Sequence, residues 1–250
     1  MRDVLHMRVS LAVLLIDDFT GRIITSSDAQ VSVEGGRKPV VKREGFRVFT
    51  NLTEPEVRVR AGGPCYCEEE QAIDLRQLDR SLPVVRLRLR PNRWYPLPAG
   101  TARVSVQLPE DTQLLAYCQE SGGYKRLLAD YTKGSQEISL YQGDSEELEG
   151  KACCIMGKDG EPELLRLGML KDREAGLYQL LQLPGKEYKR AGTRVYPAAC
   201  LPAGPARTCY LPLKGGGQKE PVYTFVQICG TRQTVQQVTL RTDRENRMEL

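Results

Sequence analysis

Glu44-Gly-Phe-Arg-Val-Phe-Thr-Asn-Leu-Thr-Glu-Pro-Glu-Val-Arg-Val-Arg60 reads as two strands, the first entered through a glycine turn. Gly45 can take the positive φ that a tight turn needs. Glu56 to Arg60 alternates with a period of two, so Val57 and Val59 share one face and Arg58 and Arg60 the other. In the first strand, Phe46, Val48 and Leu52 are expected on the core face.

The same rhythm runs outward in both directions. Upstream lie Arg8 to Ile16, a turn at Asp18 to Gly21, Ala29 to Val33 closed by Gly35 and Gly36, and Val40–Val41. Downstream, Glu56 to Arg60 stops at Gly62-Gly-Pro64, and Gln71 to Leu75 and Val84 to Leu89 follow. About seven short strands in about 90 residues, separated by turn signals, predict a β-sandwich.

Several of these segments resemble the carboxypeptidase regulatory-like, or transthyretin-like, domain. The residues that carry the resemblance are Asp18-Phe-Thr-Gly-Arg-Ile-Ile24, Ala29-Gln-Val-Ser-Val33, Glu44 to Leu52 and Glu56 to Arg60, with Gly63-Pro-Cys-Tyr66 nearest to the family's closing motif. The resemblance covers residues 8–80. It implies a Greek-key sandwich and an accessory role, and it supplies no catalytic set.

Pro91, Pro96 and Pro98 cannot lie in a central strand, so residues 91–100 read as a stiff linker. Beyond it the strand pattern resumes, with hairpin signals such as Lys158-Asp-Gly160. Glu110 to Cys118 fits a helix as well as a strand. The predicted organisation is all-β: a sandwich over 1–90, the linker, and a second β-rich, sandwich-like domain over 101–241. A sub-boundary at 200–207 is left open, and the charged tail 242–250 is expected to fray.

Composition excludes several function classes. The 250 residues are 40 % hydrophobic and 27 % charged with a net charge of +4, which suits a folded protein and falls short of a nucleic-acid signature. Leu11 to Ile16 is too short for a membrane span or a secretory h-region. The expected location is therefore cytoplasmic, with later release as part of a particle left open. The eight cysteines are expected to be free thiols in that setting.

The single histidine, His6, leaves Ser/His/Asp and Cys/His schemes without a base. Neither Cys65-x-Cys67 nor Cys153–Cys154 has zinc spacing. Glu68 to Glu70 and Glu146–Glu147 read as solvated turns, and Gly215 to Gly217 as a hairpin loop without a phosphate-binding signature. No enzyme, cofactor, metal, nucleic acid or membrane insertion is expected.

What remains is surface. Arg58, Arg60, Arg86, Arg88, Arg90 and Arg93 fall on alternating strands and their continuation, next to Trp94 and Tyr95. Guanidinium forks beside aromatics have the composition of a docking surface for an acidic protein partner. Leu89-Arg-Pro-x-x-Trp-Tyr-Pro-Leu-Pro-x-Gly-Thr101 resembles a segment of regulatory-like domain proteins encoded beside phage-tail-like contractile systems. The resemblance implies a structural adaptor whose partners are other protein subunits of a bacterial assembly, docked through exposed β edges and this arginine and aromatic surface. The competing reading is a carbohydrate or cell-surface binding module, which would need exposed aromatics clustered on one sheet face.

Overall fold

The computed structural model describes residues 8–25, 27–36, 38–119, 123–141, 148–214 and 219–249. They form two units that divide between Pro96 and Leu97. His6, Glu120 to Gly122, Glu146–Glu147 and Gly215 to Gly217 lie outside the described residues. All secondary structure among the described residues is β, apart from one 3-10 turn at Leu75–Gln77.

The first unit holds seven strands: β1 (Val9–Asp17), β2 (Gln30–Val33), β3 (Val40–Val41), β4 (Phe46–Thr50), β5 (Glu56–Gly63), β6 (Tyr66–Asp74) and β7 (Val84–Leu89). One sheet has the order β3-β4-β1-β7 and the other β2-β5-β6, giving the expected sandwich. β1 and β7 run parallel, whereas β1 and β4 run antiparallel. Leu11, Val13 and Leu15 of β1 meet Val57 and Val59 of β5 and Leu87 and Leu89 of β7 in the core. Gly63 ends β5 where any Cβ would collide with the Asp28 carbonyl, so the sequence can close the sandwich there only with glycine.

β4 corrects one expectation. Its buried residues are Arg47 and Phe49, while Phe46 and Val48 face away from the core and are half-buried. The register sets Phe49 opposite Leu11 and Arg47 opposite Val13. Arg47 tolerates burial because one guanidinium nitrogen donates to the Ile24 and Gly45 carbonyls, each at 2.7 Å. A buried charge is costly unless its donors are satisfied, and these carbonyls do so. Burial pushes the Arg47 pKa down, but arginine stays protonated in proteins.

Residues 91–95 are not a free linker. Cys67 N–H donates to the Arg90 carbonyl and Asn92 N–H to the Cys65 carbonyl, so the chain after β7 pairs with the start of β6. The Asn92 side-chain amide adds bonds to the carbonyls of Pro64 and Tyr66.

The second unit contains β8 (Thr101–Leu108), β9 (Thr112–Cys118), β10 (Lys125–Arg126), β11 (Glu137–Ser139), β12 (Ala152–Met156), β13 (Pro162–Asp172), β14 (Leu177–Gln182), β15 (Arg194–Pro197), β16 (Ala199–Leu201), β17 (Arg207–Lys214), β18 (Val222–Cys229), β19 (Arg232–Thr239) and β20 (Glu245–Glu249). Within Glu110 to Cys118, Thr112–Cys118 form strand β9, and no helix.

Two of its sheets, β17-β8-β20 and β16-β9-β18-β19, enclose a core of Val104, Val106, Leu114, Tyr223 and Phe225 among others. The third sheet, β10-β15-β12-β13-β14-β11, closes on itself. Leu128 N–H donates to the Ser139 carbonyl and Tyr141 N–H to the Arg126 carbonyl, which joins the two ends into a small barrel. Its interior is filled by residues such as Leu140, Cys153, Leu165, Tyr178 and Val195. β12 shows the logic of a strand buried on both faces: Cys153 points into the barrel, and Cys154 into a second layer shared with Leu115, Tyr117 and Val226 of the sandwich.

The barrel therefore interrupts the sandwich in sequence, between β9 and β16. No break falls at 200–207: Leu201 belongs to the sandwich core and Arg207 opens β17 against β8. The charged tail also departs from expectation. Glu245 to Glu249 form β20, parallel to β8, with Asn246 bonded to the carbonyls of Arg103 and Arg241. Its alternating polar pattern lets one face pack Met248 toward the core while charges stay in water.

Candidate docking site

The strands of the first unit place most of the predicted arginines against internal carboxylates. Arg58 and Arg60 on β5 are exposed, and both contact Glu70 on β6, at 3.2 and 2.5 Å. Register explains the pair, since Arg60 lies directly opposite Glu70. Arg90 reaches Glu69 at 2.5 Å, and Arg88 lies 3.5 Å from Asp18. Glu68 to Glu70 are thus strand residues and not a solvated turn, with Glu69 and Glu70 directed to different arginines.

Arg86 and Arg88 stand opposite Leu14 and Ile16 of β1. Arg86 is exposed and Arg88 half-buried. The Arg93 guanidinium lies 4.8 Å from the centre of the Trp94 ring, and Trp94 itself is 69 % exposed. The structure does not gather these side chains into one bank of unpaired cations.

Tyr95 has a different role from an interface anchor. Its hydroxyl donates to Asp17 Oδ2 at 2.5 Å, and the Tyr66 hydroxyl donates to the same oxygen at 2.9 Å. Asp17 Oδ1 accepts from the backbone N–H groups of Phe19 and Thr20. Asp17 is buried, so this carboxylate ties the end of β1, the start of β6 and the segment after β7. The rings of Phe19 and Tyr66 pack edge-on to Tyr95. Burial first, then the Asp17 charge, pushes the Tyr66 hydroxyl far above its usual range; burial and the bond to Asp17 do the same at Tyr95. The signal in the sequence was an aspartate ending the apolar run Leu11 to Ile16.

The remaining chemistry-bearing groups are also absorbed. None of the eight cysteines is joined in a disulfide, and Cys65 and Cys67 donate weakly to the carbonyls of Trp94 and Pro91. Among the described residues, no three His, Cys, Asp or Glu side chains come together as a metal site. No helix among them is long and apolar enough to cross a membrane.

The unit-two residues that sequence reading left aside are on β19. This strand lies at the edge of its sheet, and all eight residues are exposed except Val238, which is half-buried. Gly230, at φ +58, starts the two-residue turn Gly230–Thr231 that pairs Cys229 with Arg232. Leu240 N–H bonds to the Pro221 carbonyl, which fixes the parity of the ladder. Even-numbered residues of β19 bond to β18, and Gln233, Val235, Gln237 and Thr239 turn their N–H and C=O groups to the open side.

Other edges carry protection. β20 alternates Glu245, Arg247 and Glu249; β17 contains Pro212; β16 has three residues. In the first unit β2 has only four residues and β3 two, β6 carries Glu68 to Glu70, and the chain just after β7 pairs with β6. Charge, proline and shortness are the usual guards of a sheet edge. Between Gln233 and Thr239, β19 has none of them.

No family model and no curated protein matches this chain. Among solved structures, it is similar to the wild-type C-terminal domain of the Streptococcus agalactiae AgI/II polypeptide BspA. That alignment has 9 % identity over 95 % of this chain and 81 % of that one, with a TM-score of 0.17. A second structure, BspA_C_WT, gives 8 % identity, the same coverage and a TM-score of 0.17. At that score neither carries weight for fold or role.

Proposed function

We propose that the chain is a non-catalytic structural adaptor that joins other protein subunits of a larger assembly by strand addition at β19. The observation that carries this reading is the eight-residue, uncharged-centre edge of β19, left open where other edges are guarded. Main-chain hydrogen bonds to an incoming strand supply affinity, and the alternating side chains supply selectivity. The linker resemblance points to a bacterial assembly of the phage-tail-like contractile class. The arginine strands contribute to holding the first unit together more than to recruiting an acidic partner.

Carbohydrate binding has less support. The strongly exposed aromatics among the described residues are Trp94 in the first unit and Tyr141 in the second, so within neither unit do two of them cluster on one sheet face. The test combines light scattering of the purified chain with capture from its native lysate. A stoichiometric large particle, lost with Val235→Pro, is the expected result. A chain that binds polysaccharide and captures no protein subunit contradicts it.

A further inference from the structure

We infer that β19 pairs with β19 of a second copy, antiparallel about a twofold axis through Gln236, so that two four-stranded sheets become one of eight. The inference rests on the docking-edge reading and names the occupant. Only residues whose backbone groups face outward can form the hydrogen-bonded pairs of a new ladder. Those are Gln233, Val235, Gln237 and Thr239, so odd positions must meet odd positions. An axis at Gln236 pairs Gln233 with Thr239 and Val235 with Gln237 in both directions, and uses every outward group. An axis at Val235 or Gln237 brings the turn or Arg241 opposite one end and leaves part of the strand unpaired.

The side chains agree with that register. Gln236 meets its own copy, and a carboxamide carries both donor and acceptor, so two glutamines complement each other. Thr234 meets Val238, a β-branched pair suited to a pleated surface. The one charged residue of the strand, Arg232, falls opposite Leu240, and the two arginines lie at opposite ends of the ladder. The same operation on β20 would set Arg247 against Arg247 and Glu245 against Glu249. Like charges directly opposite are unfavourable. Pairing about the strand centre is therefore favoured at β19 and opposed at β20. A single strand pair buries less than a standard interface, so the dimer is concentration-dependent.

Sedimentation equilibrium of the full chain over a wide concentration range tests this. Wild type is expected to dimerise reversibly. Val235→Pro removes an outward N–H without touching the β18 ladder, and Gln236→Lys places two cations on the axis. Each is expected to weaken self-association at least about tenfold. Should the proline variant fold poorly by circular dichroism, the surface lysine still decides. An equimolar mixture of Gln236→Lys and Gln236→Glu should restore the dimer. A wild-type chain that stays monomeric, a dimer indifferent to both variants, or a mixture that fails to associate overturns the inference. A monomer that still loses its lysate partner through Val235→Pro overturns self-pairing and leaves the docking edge intact. A dimer that recovers no larger particle does the reverse.

Discussion

The arginine strands of the first unit and β19 of the second differ in how much of their chemistry is already used. β5, with its partner β6, and the chain through Arg93 are dense in charge, yet Arg58, Arg60, Arg88 and Arg90 contact Glu70, Asp18 or Glu69. β19 has one charged residue, at its turn end, and an open row of backbone groups. A conspicuous charge pattern marks where a surface must be neutralised. A quiet strand at an edge marks where hydrogen-bonding capacity is left over.

The largest test of the first half of that comparison lies in the core. Phe49→Ala should cost about 4 kcal/mol, since Phe49 is 2 % exposed and its removal leaves a cavity. Phe46→Ala on the opposite face should cost much less, measured by urea unfolding. Equal costs would mean that the face assigned to β4 is wrong.

Next comes the carboxylate that ties the first unit. Asp17→Ala removes the acceptor of two hydroxyls and two backbone N–H groups. The expected loss is on the order of 3 kcal/mol, with Asp17→Asn milder. Alkaline unfolding reports the same knot. Tyr66 and Tyr95 hold their protons more tightly in the fold than in the unfolded chain. Their contribution is fully present below the ordinary tyrosine pKa of about 10 and is lost as pH rises above it. A melting temperature that stays flat well above that pH would contradict the arrangement.

Ion pairs give the smallest effects. A double-mutant cycle on Arg90 and Glu69, both about three-quarters buried, should show a coupling of about 1 kcal/mol. Arg58→Ala and Arg60→Ala should leave stability unchanged within error, because their shared partner Glu70 sits in water. Partner capture should survive both. Its loss would return the docking role to the arginine face.

Much of the fold was legible in the sequence because period two is a direct imprint of the pleat. Val57, Val59, Leu87 and Leu89 entered the core as alternation required. β4 misled because apolar residues occupy both parities, at Phe46, Val48 and Phe49, and the Ile24 and Gly45 carbonyls make a home for Arg47. The barrel was hidden because its closure depends on the pairing of Leu127 with Leu140, which no local pattern encodes. β20 read as a fraying tail because its charges say nothing of the partner β8, over 130 residues away in sequence. Docking at a β edge was expected, but which edge was not legible for a related reason: being last in a sheet is a property of topology, and β19 resembles any other half-polar strand.

Hydrogen–deuterium exchange of the full chain, compared at low and high concentration, tests the contrast most directly. Protection is expected to rise at Gln233, Val235, Gln237 and Thr239 and to stay unchanged across Glu56–Arg60 and Val84–Trp94. Protection gained along the arginine strands, with none along β19, would contradict it.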